Sequence, residues 1–359
     1  MDESNVKFMV TLEDVAERVG VSASAVSLTL FNRAIDARTG HRRVSVETET
    51  RIRKVAKEMH YVPNMMARGM RKRQTFTIAL VVNSISTSFY SNIIEGLTDV
   101  IEAKGYHLLI CHSDRSHERE LRHLTDLQRK QVDGVVIAPV LSKGKSHLKK
   151  GIQNFKGKPV LLLGYNPIHH PFAIVFDDAA ACKKAVDYLY RQGHRGIGFV
   201  PSSLECDHTL REAASALPVR KRLQAYQKAI RKCGLPSRVY LHREQFLADI
   251  RSGALTAIVA AADEVAASLY PVLREAKLKI PKDLSVVSLG DTPVAPLLDP
   301  PLTAICLPKV ELGIQAGKMM LRAIEQKQFS LEVMSMDLIE RKSCRAPRSK
   351  AIFPSLNKK

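Results

Sequence analysis

No apolar stretch in this 359-residue chain approaches the roughly 18 residues that a membrane-crossing helix requires, and the opening segment, with Asp2, Glu3 and Lys7, does not read as an export signal. A cytoplasmic protein without membrane contact is expected. None of the six cysteines stands in a CxxC pair, which fits reduced thiols better than a disulfide framework. Cys206 and His208 sit close together in a polar stretch, yet no further ligand pair lies near to complete a metal site. Catalytic patterns are missing too. There is no nucleophile motif, no phosphate-cradling glycine loop and no metal triad, and Ser203, Cys206 and His208 have no base at a recognisable spacing, so neither an enzymatic reaction nor a cofactor is expected. Acidic residues are scarce relative to basic ones: 36 Asp and Glu against 55 Lys and Arg leave a formal charge of +19. An excess of that sign points to a polyanion, nucleic acid above all. Residues 1–74 hold 14 basic and 9 acidic side chains, a net of +5, so the remaining +14 lies beyond them.

The informative part begins at Thr11, an N-cap with Asp14 three positions on, placed at the positive end of a helix. Val15, Ala16 and Val19 form one apolar stripe, Gly20 breaks the helix, and Ser22 caps a second whose Val26 and Leu30 face back toward the first. Two short helices about a glycine turn are a helix-turn-helix unit. Ser45 caps a third helix with Ile52, Val55, Ala56 and Met59 inside. Pro63 ends it, because proline keeps its predecessor out of helical angles and suits the first position of a new helix. Met65 to Lys72 leave room for only about two turns, and a helix so short, weakened further by Gly69, stays frayed until a partner orders it. Arg68, Arg71, Lys72 and Arg73 supply phosphate contacts, while Met70 is the kind of apolar side chain that wedges between base steps in a minor groove. Spacing alone leaves a plain helical bundle open; the basic segment behind it favours DNA.

The strings VTLEDVAERVGVSASAVS at 10–27 and VSVETETRIRKVAKEMHYVPNMMARGMR at 44–71 resemble the lactose-repressor family of bacterial transcriptional regulators, and the likeness continues to about residue 346. The resemblance implies a second helix that enters the major groove and hinge helices of a dimer that meet in the minor groove. It assigns base reading to Ala23, Ser24 and Leu28, phosphate backing to Ser22 and Ser27, and the wedge to Met70. Thr11, Asn32, Tyr61, Asn64, Ala67, Arg68 and Arg71 complete the DNA-facing set. Position 28 is commonly arginine in that family. Leucine cannot form the bidentate bonds that read guanine but can touch a thymine methyl, so a half-site away from the family consensus is expected. Between Asn32 and Val44 the chain runs longer than usual, and Arg33, Arg38, His41, Arg42 and Arg43 make either a solvated loop or an added phosphate-contacting wing.

Beyond Gln74 apolar runs alternate with amphipathic stretches. Strands are expected at 78–82, 107–111, 134–138, 160–163, 174–176, 197–200, 239–242, 257–261 and 285–289, with helices at 91–103, 118–130, 179–192, 219–232 and 264–276. Strands apolar on both faces mean parallel sheets covered by helices, and so many strands divide into two lobes. The fold class is a small all-α helix-turn-helix head (1–62), a hinge (63–74), a two-lobed α/β body (75–346) and a basic tail (347–359). The body resembles the periplasmic sugar-binding fold, with lobe 1 at about 75–173 plus 303–330, lobe 2 at about 174–302 plus 331–346, and crossovers near 173, 300 and 330. His112, His117 and His123 fall on a polar helix and its approach and are expected in solvent.

Ligands of such folds lie at the carboxyl ends of strands, which singles out the segment Ser84 to Tyr90, with Asp114, Tyr165, Asp177, Asp178, Asp263 and Asp291. Phe89 and Tyr90 either stack on a ligand ring or simply pack. The resemblance adds Arg222, whose donor fork suits vicinal hydroxyls or a carboxylate, although Arg220-Lys221-Arg222 also reads as a surface basic cluster. Ala262 stands where the family shows Asn, and Gly290 where it opens an Asp pair. Two polar contacts to a sugar are thereby missing, which leaves an effector less polar than a sugar, differently shaped, or absent. The expected protein is a sequence-specific regulator, a repressor by resemblance, that pairs as a homodimer on a near-palindromic double-stranded operator at the nucleoid and is tuned by a small molecule between its lobes. A tail without leucine heptads argues for dimers rather than tetramers. The alternative is a solute receptor or cleft enzyme with a fused DNA-binding head.

Overall fold

The computed structural model describes residues 10–31, 34–35, 39–62, 74–85, 89–141, 146–155, 157–204 and 217–347. Two compact units divide between Thr75 and Phe76. In the first, α1 (Leu12–Val19), α2 (Ala23–Leu30) and α3 (Val46–Glu58) enclose a core of Val15, Val19, Val26, Ile52 and Ala56. Thr11 and Asp14 cap α1 reciprocally: the carboxylate accepts from the Thr11 amide at 2.8 Å and the Thr11 hydroxyl accepts from the Asp14 amide at 3.2 Å. Gly20 ends α1 at φ 77°, a left-handed angle that glycine adopts without steric cost, and the chain turns at once into the Ser22 cap of α2. Helix ends leave carbonyls without partners, and α3 supplies donors for two of them. Arg51 donates to the Val19 carbonyl at 2.9 Å and Arg53 to that of Thr29 at 3.1 Å.

The extended loop is neither of the two expected things throughout. Ala34 and Val44 join the core, Ile35 bridges to Arg42, and Arg42 pairs with Glu49 at 3.0 Å. Its described part is anchored to the head; Arg33 and Arg38 lie outside the described residues.

The second unit holds two sheets. One contains β1 (Thr77–Val82), β2 (His107–His112), β3 (Gly134–Ile137), β4 (Val160–Gly164), β5 (Ala173–Phe176) and β10 (Leu331–Met334), all parallel, in the order β10-β5-β4-β3-β1-β2. The other contains β6 (Ile197–Val200), β7 (Ala257–Ala260), β8 (Ser285–Gly290), β9 (Thr303–Cys306) and β11 (Asp337–Ile339), in the order β11-β9-β8-β7-β6, with β11 antiparallel. Helices α4 (Phe89–Glu102), α5 (His117–Arg129), α6 (Ser146–Gln153) and α11 (Lys309–Gln326) belong with the first sheet; α7 (Asp178–Arg191), α8 (Leu217–Lys232), α9 (Arg243–Arg251) and α10 (Asp263–Glu275) belong with the second. Burial of β3, β4, β6 and β7 on both faces is what their continuous apolar runs require.

Three expectations are corrected. The lobe boundaries at 173, 303 and 330 fall too early: 173–176 and 331–334 pair within the first sheet and 303–306 within the second, so the crossovers follow β5, β9 and β10. Which sheet a strand joins is a long-range property that its own residues do not carry. At 239–242 there is a single bridge between Val239 and Phe199, because His242 already precedes the turn into α9. Nor are all the histidines of the first lobe solvated. His123 donates to the His112 carbonyl at 2.9 Å, and His147 donates at 3.0 Å to Glu120, a fully buried carboxylate that also accepts from the Val140 amide. Burial pushes Glu120 up to about 7.

α4 and α11 cross backbone to backbone. A Cβ added at Gly96 would lie 2.1 Å from the Val310 carbonyl oxygen, and one at Gly313 would lie 2.1 Å from that of Ile93. No described helix is long and apolar enough to cross a membrane.

His194 packs in the second lobe with 1% exposure, its Nε2 donating to the Arg345 carbonyl and its Nδ1 facing Thr256 Oγ1, both at 2.9 Å. Burial lowers its pKa to about 4, so the unfolded chain takes up this proton first. The stabilisation is complete above pH 6.5 and is lost as pH falls toward 4, by about 3 kcal/mol. Urea unfolding across that window should fall more steeply for the wild type than for His194→Asn. Glu120, which acts in the opposite sense, is common to both proteins and cancels in the comparison.

Candidate functional site

α2 carries no charged residue along its sequence ASAVSLTL, so its first turn offers amide groups and the positive helix end with no acid to oppose a phosphate. Ser22 and Ser24 are exposed there, and Ala23, Ser27 and Leu28 are half-buried. The Ser22 hydroxyl is already engaged, accepting from the Ala25 amide at 3.2 Å. Leu28 and Tyr61 pack against the head core from its rim. Thr11 is exposed beside its capping partner. Asn32, Asn64, Ala67, Arg68, Met70 and Arg71 lie outside the described residues.

In the body, a cavity of about 350 Å³ opens at the carboxyl ends of β1, β4 and β5, where α8 of the second lobe faces the first. Phe89, Tyr90, Tyr165 and Phe176 wall it, and Pro218 and Arg222 reach it from α8. The rings meet edge to face: Phe89 to Tyr90 at 5.0 Å, Phe89 to Phe176 at 6.0 Å, Tyr165 to Phe176 at 5.5 Å. Gly164 makes the last contact possible, since a Cβ there would fall 2.8 Å from the Phe176 ring. Five sequence candidates, Ser84, Phe89, Tyr90, Tyr165 and Arg222, thus converge on one space.

Arg222 is no surface arginine. Its Nε donates to Asp178 at 3.0 Å, and its Nη1 donates to the Ala261 carbonyl at 2.5 Å and more weakly to that of Leu289. Burial works against its charge, but Tyr165 and Asp178 outweigh it and raise the guanidinium pKa further. Asp178, the first residue of α7, also accepts from the Tyr165 hydroxyl at 3.0 Å, and burial drives the Tyr165 pKa up. Asp178 therefore holds Arg222 and Tyr165 in place and is not itself a lining residue.

Asp263 and Asp291 do not line this cavity. Asp263 is fully buried and accepts from the Ser288 hydroxyl and the Thr292 amide, while Asp291 accepts from Arg341 at 2.6 Å. Both carboxylates are hydrogen-bonded within the second lobe, and Ala262 does not line the cavity either. Lining residues that sequence reasoning missed include Asn83, Arg115 and Gly164. Arg115 lies in a loop after β2 with φ 55°, its amide donating to the Asn83 carbonyl at 2.9 Å, and nothing in its local sequence distinguishes it from other arginines.

A helix-turn-helix head joined to a two-lobed body with a cavity at its strand ends defines a ligand-responsive DNA-binding regulator. Residues 11–64 match the bacterial regulatory proteins of the lacI family, and residues 186–344 match the periplasmic binding protein-like domain. The chain thus carries a lacI-family helix-turn-helix domain with a periplasmic binding protein-like domain and is a DNA-binding transcriptional regulator. It is 28% identical over 353 residues to the HTH-type transcriptional repressor CytR of Escherichia coli (strain K12), covering 94% of this chain and 96% of that protein. To the ribose operon repressor of the same strain it is 26% identical over 349 residues, covering 93% and 100%. In fold it is similar to the lac repressor dimer bound to operator and the anti-inducer ONPF, with a TM-score of 0.80 at 23% identity over 94% of this chain and 100% of that one.

Proposed function

We propose that the chain is a homodimeric repressor that grips a near-palindromic operator with two heads and changes that grip when a small molecule occupies the interlobe cavity. The observation that carries this reading is the pairing, in one chain, of an uncharged α2 exposing Ser22 and Ser24 with a body whose cavity takes walls from one lobe and Arg222 from the other. The lac repressor's structure as a dimer on operator supports it. Residues 63–74 act as the hinge, ordered when two copies share a minor groove around Met70, and closure of the lobes resets the spacing of the two hinges. The protein works at the nucleoid in the cytoplasm and catalyses no reaction, in keeping with relatives that are repressors.

Selection of bound duplexes from random DNA by the purified protein tests this. A symmetric pair of half-sites is the expected outcome; no preference above random competitor at moderate salt overturns it. Leu28→Arg in the same selection should move the half-site toward guanine at one position, with a discrimination of about 1–3 kcal/mol, because leucine offers only apolar contact where arginine donates two bonds. An unchanged half-site removes Leu28 from the reading face.

A further inference from the structure

We infer that the interlobe cavity takes a small aromatic or heteroaromatic carboxylate, held by its ring against the aromatic walls and by its charge at Arg115. This rests on the reading of the cavity as the effector site and narrows it to a ligand class.

Four aromatic side chains wall the cavity, meeting edge to face so that ring edges and faces alternate around it. Such an array suits a flat ring, and about 350 Å³ is the lower end of the range for small-molecule pockets. The charged side chains of its described lining are both arginines. Their situations differ. Arg222 is answered by Asp178 at 3.0 Å and donates to two carbonyls besides. Arg115 is exposed and has no ion pair among the described residues, so within them its positive charge is not matched by a carboxylate.

Hydrogen-bond polarity points the same way. Both tyrosine hydroxyls of the wall donate inward to the protein, Tyr90 to Asn83 Oδ1 at 3.1 Å and Tyr165 to Asp178 Oδ2 at 3.0 Å. The carboxylates that might have received ligand hydroxyls, Asp178, Asp263 and Asp291, are all bound within the fold. A sugar presents hydroxyl hydrogens that need acceptors, and the described lining contains no carboxylate to receive them. A ligand carboxylate needs donors alone, which Arg115 has to give.

The test is isothermal titration of the full-length protein with benzoate, indole-3-carboxylate, benzamide as the uncharged counterpart, and ribose. Saturable binding of at least one carboxylate is expected, with benzamide about tenfold weaker than benzoate. Arg115→Gln, at an exposed side chain, should keep the wild-type circular dichroism, weaken the carboxylate about tenfold and leave benzamide within about twofold. Gly164→Ala, which drives the Phe176 ring from its place, should weaken acid and amide together. Equal binding of benzoate and benzamide, or an Arg115→Gln protein with unchanged carboxylate affinity, overturns the inference. Binding of ribose with neither acid bound overturns the ligand class and leaves the effector cleft standing. Binding of no probe by a protein that still selects DNA overturns both.

Discussion

Replacing Gly313 with alanine is expected to destabilise the body by about 3 kcal/mol or more, against the ordinary helix preference, in which alanine gains about 1 kcal/mol over glycine. Space decides the sign. The new methyl would lie 2.1 Å from the Ile93 carbonyl oxygen and 2.8 Å from the Leu97 amide nitrogen, and both are backbone atoms of α4 that no rotamer change can move. The reciprocal contact at Gly96 means that α4 and α11 can relieve the clash only by separating, which opens the packing of Leu97, Leu312 and Ala316. Urea unfolding of Gly313→Ala beside Lys318→Ala, an exposed position on the same helix, measures it. A Gly313→Ala protein as stable as that control would show that the helices stand farther apart than described.

Arg222→Ala is the second large effect, expected to cost about 3–5 kcal/mol, since truncation leaves the buried Asp178 carboxylate without its cation and two carbonyls without a donor. Most of that cost is the stranded charge and not the worth of the pair. The double change Asp178→Asn with Arg222→Met should therefore unfold at a higher urea concentration than Arg222→Ala alone, although it removes more of the native site. If the double variant is the less stable of the two, the pair itself stabilises the fold by more than its desolvation costs.

The head was almost wholly legible in the sequence. Its caps at Thr11, Ser22 and Ser45 are local devices, each a hydroxyl within three residues of the amide it serves, and Gly20 announces its own turn. Strand cores such as 197–200 were equally plain, because burial on both faces writes itself as an unbroken apolar run. What eluded sequence reasoning depends on distant partners. β9, β10 and β11 are three or four residues long, and β10 alternates exposed Leu331 and Val333 with inward Glu332 and Met334, a pattern opposite to the one that marks a buried strand. The same holds at the cavity. Phe89, Tyr90, Tyr165 and Arg222 line it, but Asp263 and Asp291, which sit after strands just as these do, are bonded to Ser288, Thr292 and Arg341 instead. A carboxylate's sequence position says where it can reach; its neighbours decide whether any lone pair is left over.

The late strands also set an order of events during synthesis. β10 completes the first sheet and β11 the second, yet they are separated by only two residues near the end of the described chain. The first lobe cannot acquire its last strand until translation has passed residue 334, nor the second until it has passed 339, whereas the head closes its core with the first sixty or so residues. A nascent chain therefore exposes a finished DNA-reading module on the ribosome while both halves of its regulator are still open at an edge, and a truncation after α11 would damage the two lobes together instead of sparing one.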